Sequence, residues 1–397
     1  MSATRLRIGY IPLVDASPLL VAADHGFAAA EGFAIDLVRE VSWSNVRDKL
    51  NLGLFDAAHM LAPLPIASSL GIGHVQVPLI VPFTLAHNGN AITVSPSLHD
   101  ELAAAADGDL ADPHVSSRAL ARVVVDRRAR GAPMLNFGMT FPFSNHNYQL
   151  RFWMAAGGVD PDEDVRMVVL PPPYMVESLT SGHVDCFCVG APWNSVAVDN
   201  GVGRILHFGC EVLARMSEKV LAVRAQWASE NPAVLAALVR ALAKAAAFTE
   251  DPANRAAVSA TIGRRVGAAA EVIARTLSGN LTVSTDGTMR ATDRYILIGR
   301  EGANRPDAIH AAWMYADIVR WRQAPLSEDL QRIAESVFRP DIYDAALGCG
   351  ASVPMTAPRD HVGAFAGPEF DPSDIAGYLA AWRRPRNAKP RLSIVRG

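Results

Sequence analysis

Apolar and polar residues alternate over residues 6–12, a run ended by Pro12, and again over 34–38. This two-residue period predicts half-buried strands. Between them, Ser17 stands before Pro18 and an apolar-rich run that reaches Glu31. Serine followed by proline is a favourable cap and first position, so the spacing predicts a helix over 17–31. A second helix is predicted over 44–53 with Ser44 as its cap, then a short buried strand over 56–60 and a helix over 63–70. The order strand, helix, strand, helix, strand predicts a mainly parallel sheet with helices on both faces.

The same order recurs further on. A strand is predicted over 90–94, helical sequence over 99–130 and a strand over 135–139. A helix over 144–157 runs into Gly157-Gly158 and is followed by a strand over 164–170, a helix over 174–181 and a strand over 184–189. Beyond Lys219 the chain reads as a strand over 220–223 and then as helices over 232–249, 252–263, 268–277, 306–321 and 328–337. At 397 residues the chain exceeds what one core usually serves, so two lobes are predicted. Lobe 1 takes residues 1–90 plus 222–397 and lobe 2 takes 91–221, with crossings near Asn90 and Lys219. In open α/β sheets ligands sit beyond the carboxyl ends of the strands, and two such ends face to face make a cleft that a hinge can close.

Composition narrows the function classes. Half the residues are hydrophobic, 19% are charged and the net charge is −3, which points to neither nucleic acid nor membrane. The N-terminus lacks the basic start and apolar run of a secretory signal, and Arg240 and Lys244 interrupt the apolar stretch 235–248. The expectation is a cytoplasmic protein. Cys186, Cys188, Cys210 and Cys349 form no CxxC pair and are expected to be reduced, small hydrophobes, with no metal and no cofactor. Walker A and GxSxG motifs are missing, and Gly201-Val202-Gly203 lacks the third glycine of a dinucleotide loop. Ser144, two residues before His146, is expected to cap a helix rather than act as a nucleophile. Residues 383–397 hold six basic and no acidic residues, with Pro385 and Pro390, and are expected to be a solvated tail.

The remaining signal is a set of hydrogen-bond donors at predicted strand ends and crossings: Trp43, Asn90, His146, Gly190 (before Ala191-Pro192-Trp193-Asn194) and Lys219. A planar, weakly basic oxyanion such as nitrate needs donors alone: indole N–H, amide, imidazole, backbone N–H and one cation. Bicarbonate also needs an acceptor for its hydroxyl. Glu218 is the nearby candidate, and strand alternation is expected to turn it away from Lys219. Lys219→Ala is expected to abolish anion binding and leave the fold intact.

Several stretches carry a family likeness: residues 42–48 (SWSNVRD), 56–65 (DAAHMLAPLP), 152–161 (FWMAAGGVDP), 170–173 (LPPP), 186–194 (CFCVGAPWN) and Glu218-Lys219. In these the chain resembles the nitrate/nitrite-binding proteins of the NrtA and CmpA type, which serve nitrate and bicarbonate transporters. The resemblance implies a type II periplasmic-binding-protein fold: α/β, two lobes, each with a mainly parallel sheet flanked by helices, and a ligand cleft between them. It implies an anion site formed by Trp43, Asn90, His146, Gly190 and Lys219. The family generally has glutamine at Asn90, Gly-Gly-Thr at Phe143-Ser144-Asn145 and glutamate at Ala191, which bears on pocket size and selectivity. The retained lysine favours nitrate or nitrite over bicarbonate. With a cytoplasmic location, the likeness is to NasS-type nitrate sensors. These imply a partner: a NasT-like, ANTAR-type RNA-binding antiterminator, held without the anion and released with it. Direct nucleic-acid contact is not expected. The alternatives are the substrate-binding component of a nitrate/nitrite ABC transporter and an enzyme like the thiamin pyrimidine synthases, whose cysteine-rich motif Cys186-Phe187-Cys188 resembles faintly.

Overall fold

The N-terminal alternation forms strand β1 (Thr4–Tyr10), with Leu6 and Ile8 buried and Arg5 and Arg7 exposed. The computed structural model describes residues 4–348 and 362–382. Cys349 and the basic tail over 383–397 lie outside the described residues. Strand β1 pairs in parallel with β2 (Phe33–Arg39) on one side and β3 (Ala57–Leu61) on the other. The helix expected over 17–31 is two helices, α1 (Ser17–Asp24) and α2 (Phe27–Ala30). Gly26, at φ 82°, separates them in a left-handed conformation that glycine adopts without cost. Helix α3 (Trp43–Asn51) is capped by Ser42, not Ser44: the Asn45 N–H donates to Ser42 Oγ at 3.3 Å. That places Trp43 in the first turn. Helix α4 (Pro63–Leu70) has the bounds its sequence predicts.

The second sheet contains β5 (Asn90–Val94), β6 (Asn136–Met139), β7 (Arg166–Val169), β8 (Cys186–Gly190) and β9 (Arg204–Phe208), in the order β7-β6-β8-β5-β9. Strand β6 runs parallel to β7 and β8, while β5 runs antiparallel to β8 and β9. The helical stretch 99–130 is α5 (Pro96–Ala105) and α6 (Pro113–Ala129), each opened by a capping side chain, Ser95 or Asp112, before proline. Helix α7 (Asn145–Gly157) is capped by Ser144, as expected, and ends at Gly158 with φ 93°. Its last residue packs on α6 so closely that a Cβ at Gly157 would overlap the Ser117 carbonyl oxygen. Gly157→Ala is therefore expected to lower the unfolding free energy by about 1–3 kcal/mol. A urea melt with an unchanged midpoint would show that α6 and α7 yield at this contact.

Strand β10 (Ser217–Arg224) carries the chain back to the first sheet and lies antiparallel between β3 and β4 (Leu79–Asn88). A hairpin of β11 (Asn280–Thr282) and β12 (Met289–Ala291) precedes the edge strand β13 (Ile296–Leu297). The first sheet then reads β13-β4-β10-β3-β1-β2. Each sheet thus has a parallel group extended by antiparallel strands that arrive through the crossings.

The first crossing is sharp. Asn88 sits at φ 58° and Gly89 at φ 90° between β4 and β5. Asn88 Nδ2 donates to the carbonyls of Arg294 (3.0 Å) and Ala214 (3.4 Å), and its Oδ1 accepts from the Met216 N–H at 3.1 Å. The Gly89 N–H donates to the Tyr295 carbonyl at 2.6 Å. One side chain and one short segment thus tie both crossings together. Helix Pro232–Glu250 has the length and apolarity to cross a membrane, yet it packs on α1 with Leu235, Leu238 and Leu242 buried. Its two cations both meet Glu31: Arg240 Nε and Lys244 Nζ each lie 2.7 Å from that carboxylate.

Candidate functional site

Lys219 is buried at the second crossing, and a bulge in β10 decides what surrounds it. Ser217 faces His87, Lys219 faces Ala86 and Val220 faces Thr84, so the register slips between Ser217 and Val220. A bulge breaks strict alternation and re-aims side chains. Here it turns Glu218 toward its neighbour: Lys219 Nζ donates to Glu218 Oε1 at 2.8 Å. This corrects the expectation that alternation would point Glu218 away.

Asp15 holds the other side of the ammonium, Oδ2 to Nζ at 3.1 Å. It lies in the short turn Val14–Ala16 just past the carboxyl end of β1. Asp15 Oδ1 faces His59 Nε2 at 2.9 Å, while His59 Nδ1 accepts from the Ile11 N–H at 3.4 Å. Acceptance at Nδ1 fixes the tautomer with its proton on Nε2, directed at the carboxylate. Burial opposes the charge on Asp15, but Lys219 and His59 outweigh it and hold its pKa below the usual carboxylate range. Burial likewise opposes the charge on Lys219, and Asp15 and Glu218 together raise its pKa. For Glu218 burial wins over the attraction of Lys219, and its pKa is raised.

The remaining predicted residues converge on this cluster. Trp43, 1% exposed, presents its ring 5.6 Å from Lys219 Nζ and packs edge-on against His59. His146, in the first turn of α7, meets Thr140 Oγ1 through Nδ1 at 2.9 Å, and its Nε2 lies 3.6 Å from Glu218 Oε1. Burial and Lys219 keep this imidazole neutral by lowering its pKa well below the usual value. Asn90 and Gly190 are register partners at the adjoining ends of β5 and β8. A Cβ at Gly190 would stand 3.1 Å from Asp15 Oδ2 and 3.5 Å from Asn90 Oδ1, so glycine leaves this space open. Asn90 Nδ2 donates to Gln149 Oε1 at 3.1 Å, and that oxygen also receives the Cys188 thiol at 3.3 Å. All five residues expected from the sequence thus surround one cluster, together with Asp15, His59, Gln149 and Glu218. Asp15 was missed, although it sits just past a strand end, where the strand-end rule looks; His59, inside β3, gave no such signal.

Buried side-chain atoms here without a hydrogen-bond partner include the nitrogens Trp43 Nε1, His146 Nε2 and Gln149 Nε2 and the oxygens Asn90 Oδ1 and Glu218 Oε2. Such a group costs about 1–3 kcal/mol when left unsatisfied, so several of them gathered beside one buried ammonium mark the seat of a polar ligand. Cys186 and Cys188 are both buried in β8, and burial raises their pKa values well above the usual thiol range. Among the described residues no cluster of three or more His, Cys, Asp or Glu is placed to hold a metal ion. A depression of about 210 Å³ near Arg127, Arg128 and Asp164 contains none of the cluster residues, and Arg128 there is already paired with Asp164 at 2.7 Å.

Two sheets joined by paired crossings, with a buried cluster of donors where their strands end, define a periplasmic-binding-protein type of α/β fold. The chain belongs to the NMT1-like family, which it matches over residues 2–263, and within it to the NrtA-like nitrate-binding proteins. It is 30% identical over 385 residues to the nitrate/nitrite binding protein NrtA of Synechococcus elongatus, covering 94% of this chain and 84% of that protein. It is 31% identical to the nitrate import ATP-binding protein NrtC of Synechocystis, where 94% of this chain corresponds to 54% of the relative. The chain therefore spans about half the length of that relative. The crystal structure of the periplasmic nitrate-binding protein NrtA from Synechocystis superposes with a TM-score of 0.85 at 26% identity, covering 96% of this chain and 99% of that one.

Proposed function

We propose that this protein binds nitrate or nitrite between its two sheets, and that it binds rather than converts the anion. The observation that carries the reading is the buried Lys219 ammonium with the unpartnered Trp43 indole and His146 imidazole nitrogens beside it. A nitrate ion accepts from all of them and needs no acceptor in return. The nitrate/nitrite-binding relatives support the choice of anion. Calorimetric titration of anion-free protein with nitrate, nitrite, bicarbonate and sulfate tests it. Saturable heat with nitrate or nitrite and none with bicarbonate is expected; silence toward all four would sink the reading.

Trp43, Asn90, His146 and Lys219 are each 1% exposed or less, so an anion reaches them only when the sheets part. Binding is thereby linked to closure. In the finer reading the protein is a cytoplasmic sensor: a NasT-like RNA-binding regulator holds the open form, nitrate holds the closed form, and each weakens the other's binding by the same factor. Co-purification with such a regulator, lost on adding nitrate, is the expected result. A second reading, the substrate-binding component of a nitrate importer, is favoured by the likeness to NrtA and NrtC. Nitrate-independent association with a membrane permease, and none with the regulator, would decide for it.

A further inference from the structure

Two carboxylates, Asp15 and Glu218, touch the same buried ammonium. The other titratable groups of the cluster come from three further strands and helices: His146 on α7 and Cys188 on β8 beside Glu218, and His59 on β3 beside Asp15. Burial keeps both imidazoles and the thiol neutral. Asp15 and Lys219 then cancel, and Glu218 sets the sign of the site. Ionised, it makes the site net negative before any anion arrives. A buried anion beside a carboxylate with no second cation is strongly disfavoured.

We infer that the anion is bound together with a proton: Glu218 is a neutral carboxylic acid in the anion-bound protein and is a specificity-determining residue of the site. This rests on the anion-binding reading above. The balance is simple: anion and proton enter from solvent, the proton joins a Glu218 carboxylate oxygen, and no other bond changes. The acid's O–H adds one more donor. Its other oxygen is already taken by Lys219 Nζ. Both Asp15 oxygens are likewise engaged, by His59 and by Lys219. Protonation removes Glu218 Oε2, a buried carboxylate oxygen without a hydrogen-bond partner, as an acceptor, which disfavours an anion carrying its own hydroxyl, such as bicarbonate. The raised pKa of Glu218 agrees in direction.

The linkage has a definite sign. Where Glu218 is already protonated in the free protein, affinity does not vary with pH. Above its titration each anion must bring a proton, and affinity falls about tenfold per pH unit. The test is calorimetry of the full chain with nitrate from about pH 6 to about pH 9, in PIPES and in Tris, whose ionisation enthalpies differ widely. Expected are proton uptake that rises with pH toward one per anion, and a Glu218→Gln variant whose nitrate affinity no longer depends on pH. Nitrate-minus-free infrared difference spectra of the wild-type protein at the upper pH should show a new carboxylic-acid carbonyl band. That readout holds even if the variant fails to fold. Saturable binding with constant affinity and no proton uptake, together with no carboxylic-acid band in the nitrate-bound protein that Glu218→Gln removes, would overturn this inference and leave nitrate binding standing. Uptake that persists in Glu218→Gln would place the proton elsewhere and also overturn it. No saturable binding at any pH would overturn the nitrate reading and this inference with it.

Discussion

Replacing Lys219 by methionine is expected to abolish measurable nitrate binding and to lower the unfolding free energy by about 3–5 kcal/mol. The first effect follows from removing the ammonium at the centre of the cluster. The second departs from the expectation, drawn from sequence, that losing this lysine leaves the fold intact. Lys219 is fully buried against Asp15 and Glu218, so its removal strands two carboxyl groups without a cation. The pKa of Asp15, held low by Lys219, then rises, and that of Glu218, already raised, rises further. A group raised in this way stabilises the fold at low pH, and that stability is lost as pH rises. The destabilisation should therefore be largest at neutral pH and shrink on acidification, as read by denaturant melts. The triple change Asp15→Asn, Glu218→Gln, Lys219→Met removes the charges together and should recover most of the stability without nitrate binding. Wild-type nitrate affinity in Lys219→Met would show that the ammonium is not the anion's partner.

Asn88→Ala is expected to cost about 3–5 kcal/mol, summing two kinds of loss. The Met216 N–H and the Arg294 carbonyl lose their side-chain partner. Alanine must also adopt φ near the 58° that Asn88 holds, which asparagine tolerates better than other residues with a Cβ. Asn88→Gly separates the two: it loses the same hydrogen bonds but accepts the backbone. Glycine should therefore be less destabilising than alanine by about 1 kcal/mol in matched urea melts. Equal costs would mean that the backbone at the crossing relaxes, and the turn would then be less constrained than its hydrogen bonds indicate.

Elements with a clean period or a clear boundary were legible. Proline opens α4 and Gly71 closes it in a left-handed conformation, and its bounds were read correctly. Ser144 was read as a cap and is one. Strand β4 was missed for a physical reason: all ten of its residues are buried, so it shows no alternation, and Pro82 in its middle argues against a strand. The register against β10 is irregular there, between Leu221 and Val223, which is where a strand can accommodate proline. Of the donors in the cluster, Trp43, Asn90, His146 and Lys219 were legible because they fall at strand ends, helix starts and crossings, while Gln149, inside α7, was not. The acceptors were harder to read: Asp15 lies past a strand end, where the rule looks, but was not singled out. Glu218 is turned by a bulge that alternation cannot foresee, and Asp15 and His59 meet only after β1 and β3 have paired.

Asn90 follows Gly89 directly, and Lys219 lies three positions past Met216. Both stand almost on the axis about which one sheet would swing against the other. Rotation displaces a group in proportion to its lever arm. Trp43 on α3 and His146 on α7, carried by opposite sheets, would be drawn apart, while the ammonium and the Asn90 amide stay beside the crossings. A parting of the sheets would then open the cluster as a clamp, with the indole and the imidazole on opposite jaws and the ammonium at its base.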